Sequence, residues 1–181
     1  MRGLSYMYHP YYGNYLLYNY GYQPVYWAYP NQEERVPRSN VQNDFGSGPF
    51  VVNIEETTKH NKNYRTVLWT GPHLQVTVMS LNVGEDIGLE VHPHVDQFIC
   101  IEEGHGVTQM GPSKDYLNFQ RHVSEDMAIM VPAGTWHNVT NIGNKPLKLY
   151  TIYAPPNHPF GTVHMTKADA MAEEEGYGQR E

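Results

Sequence analysis

Cysteine is nearly missing from this chain: Cys100 is the single one in 181 residues. No disulfide framework can therefore form within the chain. Basic residues are also few. Twelve Lys+Arg stand against 19 Asp+Glu, a formal charge of −7, which argues against a basic nucleic-acid-binding surface. Charged residues amount to 17% and hydrophobic residues to 40%, so a highly charged disordered chain is not the pattern either. Long apolar runs are lacking at the start, where the longest aliphatic run is Leu16-Leu17. A secretory signal needs about 7–15 consecutive apolar residues after a basic start, and a membrane helix needs about 20. The expectation is no classical export signal, no membrane span and a cytoplasmic location.

Tyrosine is what the chain has in excess. Of its 15 tyrosines, ten fall between Tyr6 and Tyr29. Residues 1–30 carry one charged side chain, Arg2, and show neither helical nor strand periodicity, because Gly, Pro and Asn interrupt the aromatics. A polar, turn-rich stretch follows (NQEERVPRSNVQNDFGSG). The division expected is a Tyr-rich low-complexity extension and linker over 1–45, a folded domain over 46–165 and a short acidic tail over 166–181. Within that tail, Ala168–Glu175 suits a short helix.

From about Pro49 onward, short β-rich runs alternate with turn signals. They are Phe50–Ile54, Thr66–Trp69, Leu74–Leu81, Ile87–His92, Gln97–Ile101, Gly106–Met110, Met127–Val131 and Leu147–Tyr153. In the third, Leu74, Val76 and Val78 share one face. Many short strands at this spacing predict an all-β sandwich or barrel.

Ten histidines are present, and three stand apart. His92 and His94 are one residue apart, so on a strand both rings would leave the same face. Gln97 follows at the start of the apolar run FICI. His137 lies much later, in VPAGTWHNVTN, just after another apolar run. Two imidazoles from one strand and one from a distant strand can build a metal site with open positions. The same residues could equally be histidines at a barrel mouth with hydrogen-bonded neutral rings.

Together these segments resemble the cupin superfamily, in particular its small, single-domain, mannose-6-phosphate-isomerase-like members. The first cupin motif is matched by His92, His94, Gln97 and Gly104, with Gln97 in place of the usual glutamate. The second is matched by Pro132, Gly134, His137 and Asn141. Asp86 and Asp126 stand where each motif often opens with glycine. The resemblance covers roughly residues 49–160. It implies a double-stranded β-helix, or jelly-roll barrel. It also implies a divalent transition metal (Zn, Fe, Mn, Ni or Cu) held by His92, His94 and His137, with Gln97 coordinating or acting from behind a ligand. A homodimer and a small polar ligand are further implications, with isomerase-like or dioxygenase-like chemistry.

Other residues have plainer readings. Cys100 should face away from Gln97 as an inert thiol. Lys62, Arg65, Arg121 and Lys145 read as scattered solvated charges. Glu90 and Asp96 bracket the histidine pair, and either could move protons if it points inward. Trp136 suits the barrel mouth or the core. The Tyr-rich segment is similar in composition to bacterial spore-coat proteins, which implies coat partners through residues 1–30 and delivery from the mother-cell cytoplasm. The rival to an enzyme or binder is accordingly a non-catalytic structural protein of a coat or surface layer, with the tail driving assembly or cross-linking.

Overall fold

Alternating apolar and polar residues dictate most of the strands. In Leu147–Ala154 every second residue from Leu147 to Tyr153 is buried, and Trp136–Asn141 and Asp96–Glu103 alternate in the same way. That period of two is what a half-buried strand requires. The computed structural model describes residues 44–178, with side chains through Glu173, all within one compact unit. The Tyr-rich extension and most of the linker lie outside these residues.

The elements run α1 (Ile54–His60), β1 (Arg65–Thr70), β2 (Gln75–Leu81), β3 (Asp96–Glu103), β4 (His105–Gly111), β5 (Phe119–Ser124), β6 (Ala128–Val131), β7 (Trp136–Asn141), β8 (Leu147–Ala154), β9 (Val163–His164) and α2 (Lys167–Gly178). All strand pairs are antiparallel. They form a six-stranded sheet, β6-β3-β8-β2-β1-β9, and a three-stranded one, β5-β4-β7. Inward residues of both sheets meet in one buried cluster. Leu81, Ile99, Ile101, Leu147 and Leu149 come from the larger sheet, and Met110, Val123 and Val139 from the smaller. Fully burying each such side chain is worth about 1.5–3 kcal/mol. The expected all-β jelly-roll is the fold observed.

Two expected strands are not strands. Phe50–Ile54 leads instead into α1, because the Asn53 side chain accepts a hydrogen bond from the Glu56 N–H and caps the helix. Glu55 and Glu56 in the first turn and Lys59 and His60 in the last complement the helix dipole. Ile87–His92 forms isolated bridges rather than a ladder, Asp86 with Thr140 and Glu90 with His137. Its path is broken by Gly88 at φ +91°. Conversely, β5, β7 and β9 were not among the expected strands. In β5 the reason is exposure. Four of its six residues are exposed, so its hydrophobic signal is weak.

Residues at the start of the unit strap it together. Asp44 is fully buried, and its carboxylate accepts hydrogen bonds from the Thr70 hydroxyl at 2.6 Å and the Gly161 N–H at 3.2 Å. At the other end, α2 pairs Lys167 with Asp86 at 2.5 Å and Glu173 with His164 at 2.5 Å. No helix among the described residues is long and apolar enough to cross a membrane.

Candidate metal centre and its cavity

One cross-strand row positions the first donor. Val131, Gln97, Tyr153 and Gln75 are register partners across β6, β3, β8 and β2, and residues directly opposite one another share a face. Gln97 is 4% exposed and continues the inward series of Ile99 and Ile101. Its Nε2 donates to the Thr151 hydroxyl at 3.1 Å. Its Oε1 is buried and has no hydrogen-bond partner among the described residues.

The other donors come together through a bridge. The Glu90 N–H donates to the His137 carbonyl at 3.0 Å, and the His137 N–H donates back at 2.9 Å. Such a reciprocal pair places both side chains on one side. His92, two residues beyond Glu90, joins them. Glu90 Oε1 lies 3.3 Å from His92 Nε2 and 3.3 Å from His137 Nε2. These three donor atoms lie within 4.8 Å of one another. Ligand atoms bonded to one ion at about 2.0–2.1 Å stand about 3.0–3.4 Å apart, so the spacing suits a shared cation.

Hydrogen bonding decides which ring nitrogen is available. His137 Nδ1 lies 3.0 Å from the Thr135 carbonyl. A carbonyl only accepts, so Nδ1 carries the proton and Nε2 presents a lone pair. Glu90 Oε1, His92 Nε2, Gln97 Oε1 and His137 Nε2 are all buried without a hydrogen-bond partner among the described residues. Buried polar atoms are normally satisfied, and the three clustered donor atoms of Glu90, His92 and His137 fit a divalent metal. Burial opposes ionisation of Glu90. Hydrogen bonds that the His137 and His92 rings donate when Nε2 carries a proton, helped by Arg65, outweigh that and hold its carboxyl well below the usual range.

His94 is not brought to this cluster. Pro93 and His94 form a turn, and His94 is exposed. The alternation that was expected to align His92 with His94 instead aligns His92 with Glu90, one step earlier. The carboxylate of the cluster is thus Glu90, two positions before the histidine pair, and the clustered donors are not the neutral His₃Gln grouping expected. Asp96 is exposed and serves the backbone, accepting from the Ala133 N–H at 2.8 Å.

The remaining motif residues hold turns of the barrel. Gly104 has φ +98°, and a Cβ there would come within 3.0 Å of the Pro146 carbonyl. Asn141 is buried, donating to the Leu81 and Lys145 carbonyls and accepting from the Gly143 N–H. Cys100 is half-buried on the face opposite Gln97, and burial pushes its thiol up from the ordinary value.

A cavity of about 300 Å³ adjoins the cluster and is lined by Arg65, Glu90, His92, His158, His164 and Glu173, among others. Arg65 is 1% exposed, which corrects its reading as a solvated charge. Its position at the start of β1, paired with His164 of β9, turns it inward. The Tyr153 ring meets His92 edge-on at 5.7 Å and His158 at 5.0 Å. Burial, then the nearby Arg65 charge, push the His158 imidazole down to about 3.

Comparison with known proteins places this architecture. Residues 77–153 match the cupin domain family. The Bacillus subtilis protein YrkC is 60% identical over 176 residues, covering 91% of this chain and 94% of YrkC. Protein L612 of Acanthamoeba polyphaga mimivirus is 46% identical over 120 residues, covering 65% of this chain and 72% of L612. The crystal structure of BH2720 from Bacillus halodurans superposes with a TM-score of 0.71 at 66% identity, over 72% of this chain and 98% of that one. With paired motifs on two facing antiparallel sheets and relatives of this closeness, the chain belongs to the cupin family.

Proposed function

We propose that this cupin is a metal-dependent protein acting on a small polar molecule, with the ion held by Glu90, His92, Gln97 and His137. The observation that carries this reading is the cluster of three buried donor atoms of Glu90, His92 and His137, each without a hydrogen-bond partner among the described residues. Two imidazoles and one carboxylate with room for further ligands form the donor set of non-haem ferrous oxygenases. Dioxygenase-like chemistry with Fe(II) is therefore the reading this set favours. A Zn ion polarising a carbonyl for isomerisation is the second, since zinc accepts the same donors.

When bound, the ion would supply Lewis acidity and a site for co-substrate. The chain's own residues do the rest. Thr151 orients the Gln97 amide, Thr135 fixes the His137 tautomer, and Tyr153 packs against the edges of His92 and His158. The cavity beside Glu90 and His92 gives the ligand its place.

A homodimer and coat partners bound through residues 1–30 are proposed on the sequence reading alone, and deletion of residues 1–45 tests the tail. The metal reading is tested by elemental analysis of full-length protein purified without added metal. Near-stoichiometric metal is expected in the parent and in His94→Ala, with loss in His92→Ala, Glu90→Ala and His137→Ala. Equal metal in all five preparations would overturn the site.

A further inference from the structure

The cavity beside the metal centre has a polar wall that the metal cluster does not use. Glu90 and His92 bring the cluster to this space, and the consecutive residues Asn157, His158 and Pro159, just beyond the end of β8, line it as well.

One side chain grips this loop. Gln75 is fully buried at the start of β2. Its Oε1 accepts from the Asn157 N–H at 3.2 Å and from the His158 N–H at 2.9 Å. Its Nε2 donates to the His158 carbonyl at 2.9 Å and to the Thr70 hydroxyl at 2.9 Å. The backbone of residue 158 is thus held at both its N–H and its carbonyl by a single buried amide. The Tyr153 ring then meets His158 edge-on at 5.0 Å and His92 edge-on at 5.7 Å, so both imidazoles pack against one aromatic ring.

The His158 side chain on this fixed backbone is nevertheless unfinished. Its Nε2 is buried without a hydrogen-bond partner among the described residues. Burial pushes the imidazole down to about 3, so near neutral pH the ring is uncharged, with one N–H and one lone pair. Leaving a buried polar atom unpaired is costly, and such atoms are rare in native folds. A clamped loop that carries one into a ligand-sized cavity calls for a partner supplied by the ligand.

We propose that the molecule taken up here is bifunctional, one end bound at the metal ion and the other hydrogen-bonded by His158, with Gln75 positioning that imidazole. The first end rests on the metal reading above, the second on the cavity wall. The volume, about 300 Å³, is that of about ten water molecules, which leaves room for a short chain between the two ends. A hydroxyl suits His158, because it both donates and accepts and so matches either tautomer. An apolar far end would leave Nε2 unpaired.

Isothermal titration of full-length, metal-loaded protein tests this, with metal content measured on every sample. The probes are azide, which occupies the ion alone, and short alkanohydroxamates of increasing length. Each hydroxamate ends in either a hydroxyl or a methyl group of similar size. The expected result is that at one chain length the hydroxyl form binds about fivefold tighter than its methyl counterpart. His158→Phe should abolish that preference and leave metal content and azide affinity unchanged; His158→Leu serves the same purpose if the larger ring does not fold. Gln75→Met keeps the shape but releases the loop. It should reduce the same preference with azide affinity again unchanged, a pattern that general loosening of the fold would not give. No hydroxyl preference at any length, or a preference kept without the His158 imidazole, would overturn the proposal. A preference kept in Gln75→Met would overturn the positioning role. Protein that holds no metal and binds neither azide nor any hydroxamate would overturn the metal reading, whereas azide binding without a hydroxyl preference overturns this proposal alone.

Discussion

Glu90 and His137 face each other in a two-hydrogen-bond antiparallel bridge, and their side chains meet at 3.3 Å between Oε1 and Nε2. The backbone pairing fixes the side-chain contact. A residue of an irregular segment is thereby locked against the histidine of β7, and His92 follows two positions on. The candidate metal donors Glu90, His92 and His137 are thus brought together by register.

Gln97→Glu should tighten metal retention. The substitution keeps the shape and adds a second carboxylate to the donor set. At least tenfold slower loss of the ion to a chelator is expected. The metal-free variant should be less stable than the parent, because two carboxylates would then share a buried site. Unchanged retention would place Gln97 outside the coordination sphere.

Thr151→Val should act through Gln97. Thr151 is fully buried, and its hydroxyl accepts from the Gln97 Nε2 at 3.1 Å. Valine has the same shape without the acceptor. The stranded amide N–H should cost about 1–3 kcal/mol in urea unfolding, and the unanchored Gln97 should raise the metal dissociation constant about tenfold.

Acid should destabilise the fold partly through His158. Its folded-state value is depressed to about 3 from 6.5 by burial and by Arg65, with His92 and His164 adding and Glu90 opposing. The unfolded chain therefore binds a proton that the native state refuses. Stability from this source is complete above about pH 6.5 and is lost as pH falls towards 3. Between pH 7 and 5 the parent should lose more stability in chemical denaturation than His158→Gln. Parallel pH dependence in the two proteins would show that His158 contributes nothing.

The two turn positions should differ in sensitivity. Gly104→Ala forces a Cβ onto the Pro146 carbonyl and the Leu147 Cα at φ +98°, and should cost about 1–3 kcal/mol. Asp126 already holds φ +66°, a left-handed conformation that glycine adopts freely. Asp126→Gly should shift stability by less than about 1 kcal/mol in urea unfolding.

Much of the barrel was legible in the sequence. Leu147–Tyr153, Gln97–Ile101 and Leu74–Leu81 carry clear strand patterns because their cores are aliphatic and their outer faces polar. Phe50–Ile54 misled because its β-branched residues hide the Asn53 cap, and capping outweighs propensity once the first helical turn forms. The strand over Phe119–Ser124 was invisible because its partner supplies hydrogen bonds while most of its side chains, Val123 excepted, stay in solvent.

At the candidate metal centre, the sequence by itself picked out His92, Gln97 and His137, and the structure brings His92 and His137 into one cluster with Glu90. The sequence could not determine the carboxylate. Counting along a strand pairs His92 equally well with His94 or Glu90, and the turn at Pro93 and the bridge to His137 choose between them. Arg65 shows the same limit. A charged residue at a strand start reads as solvated, and only packing between β9, α2 and the two sheets turns it inward. Local pattern specifies which residues lie on strands; long-range register decides which side chains share an interior.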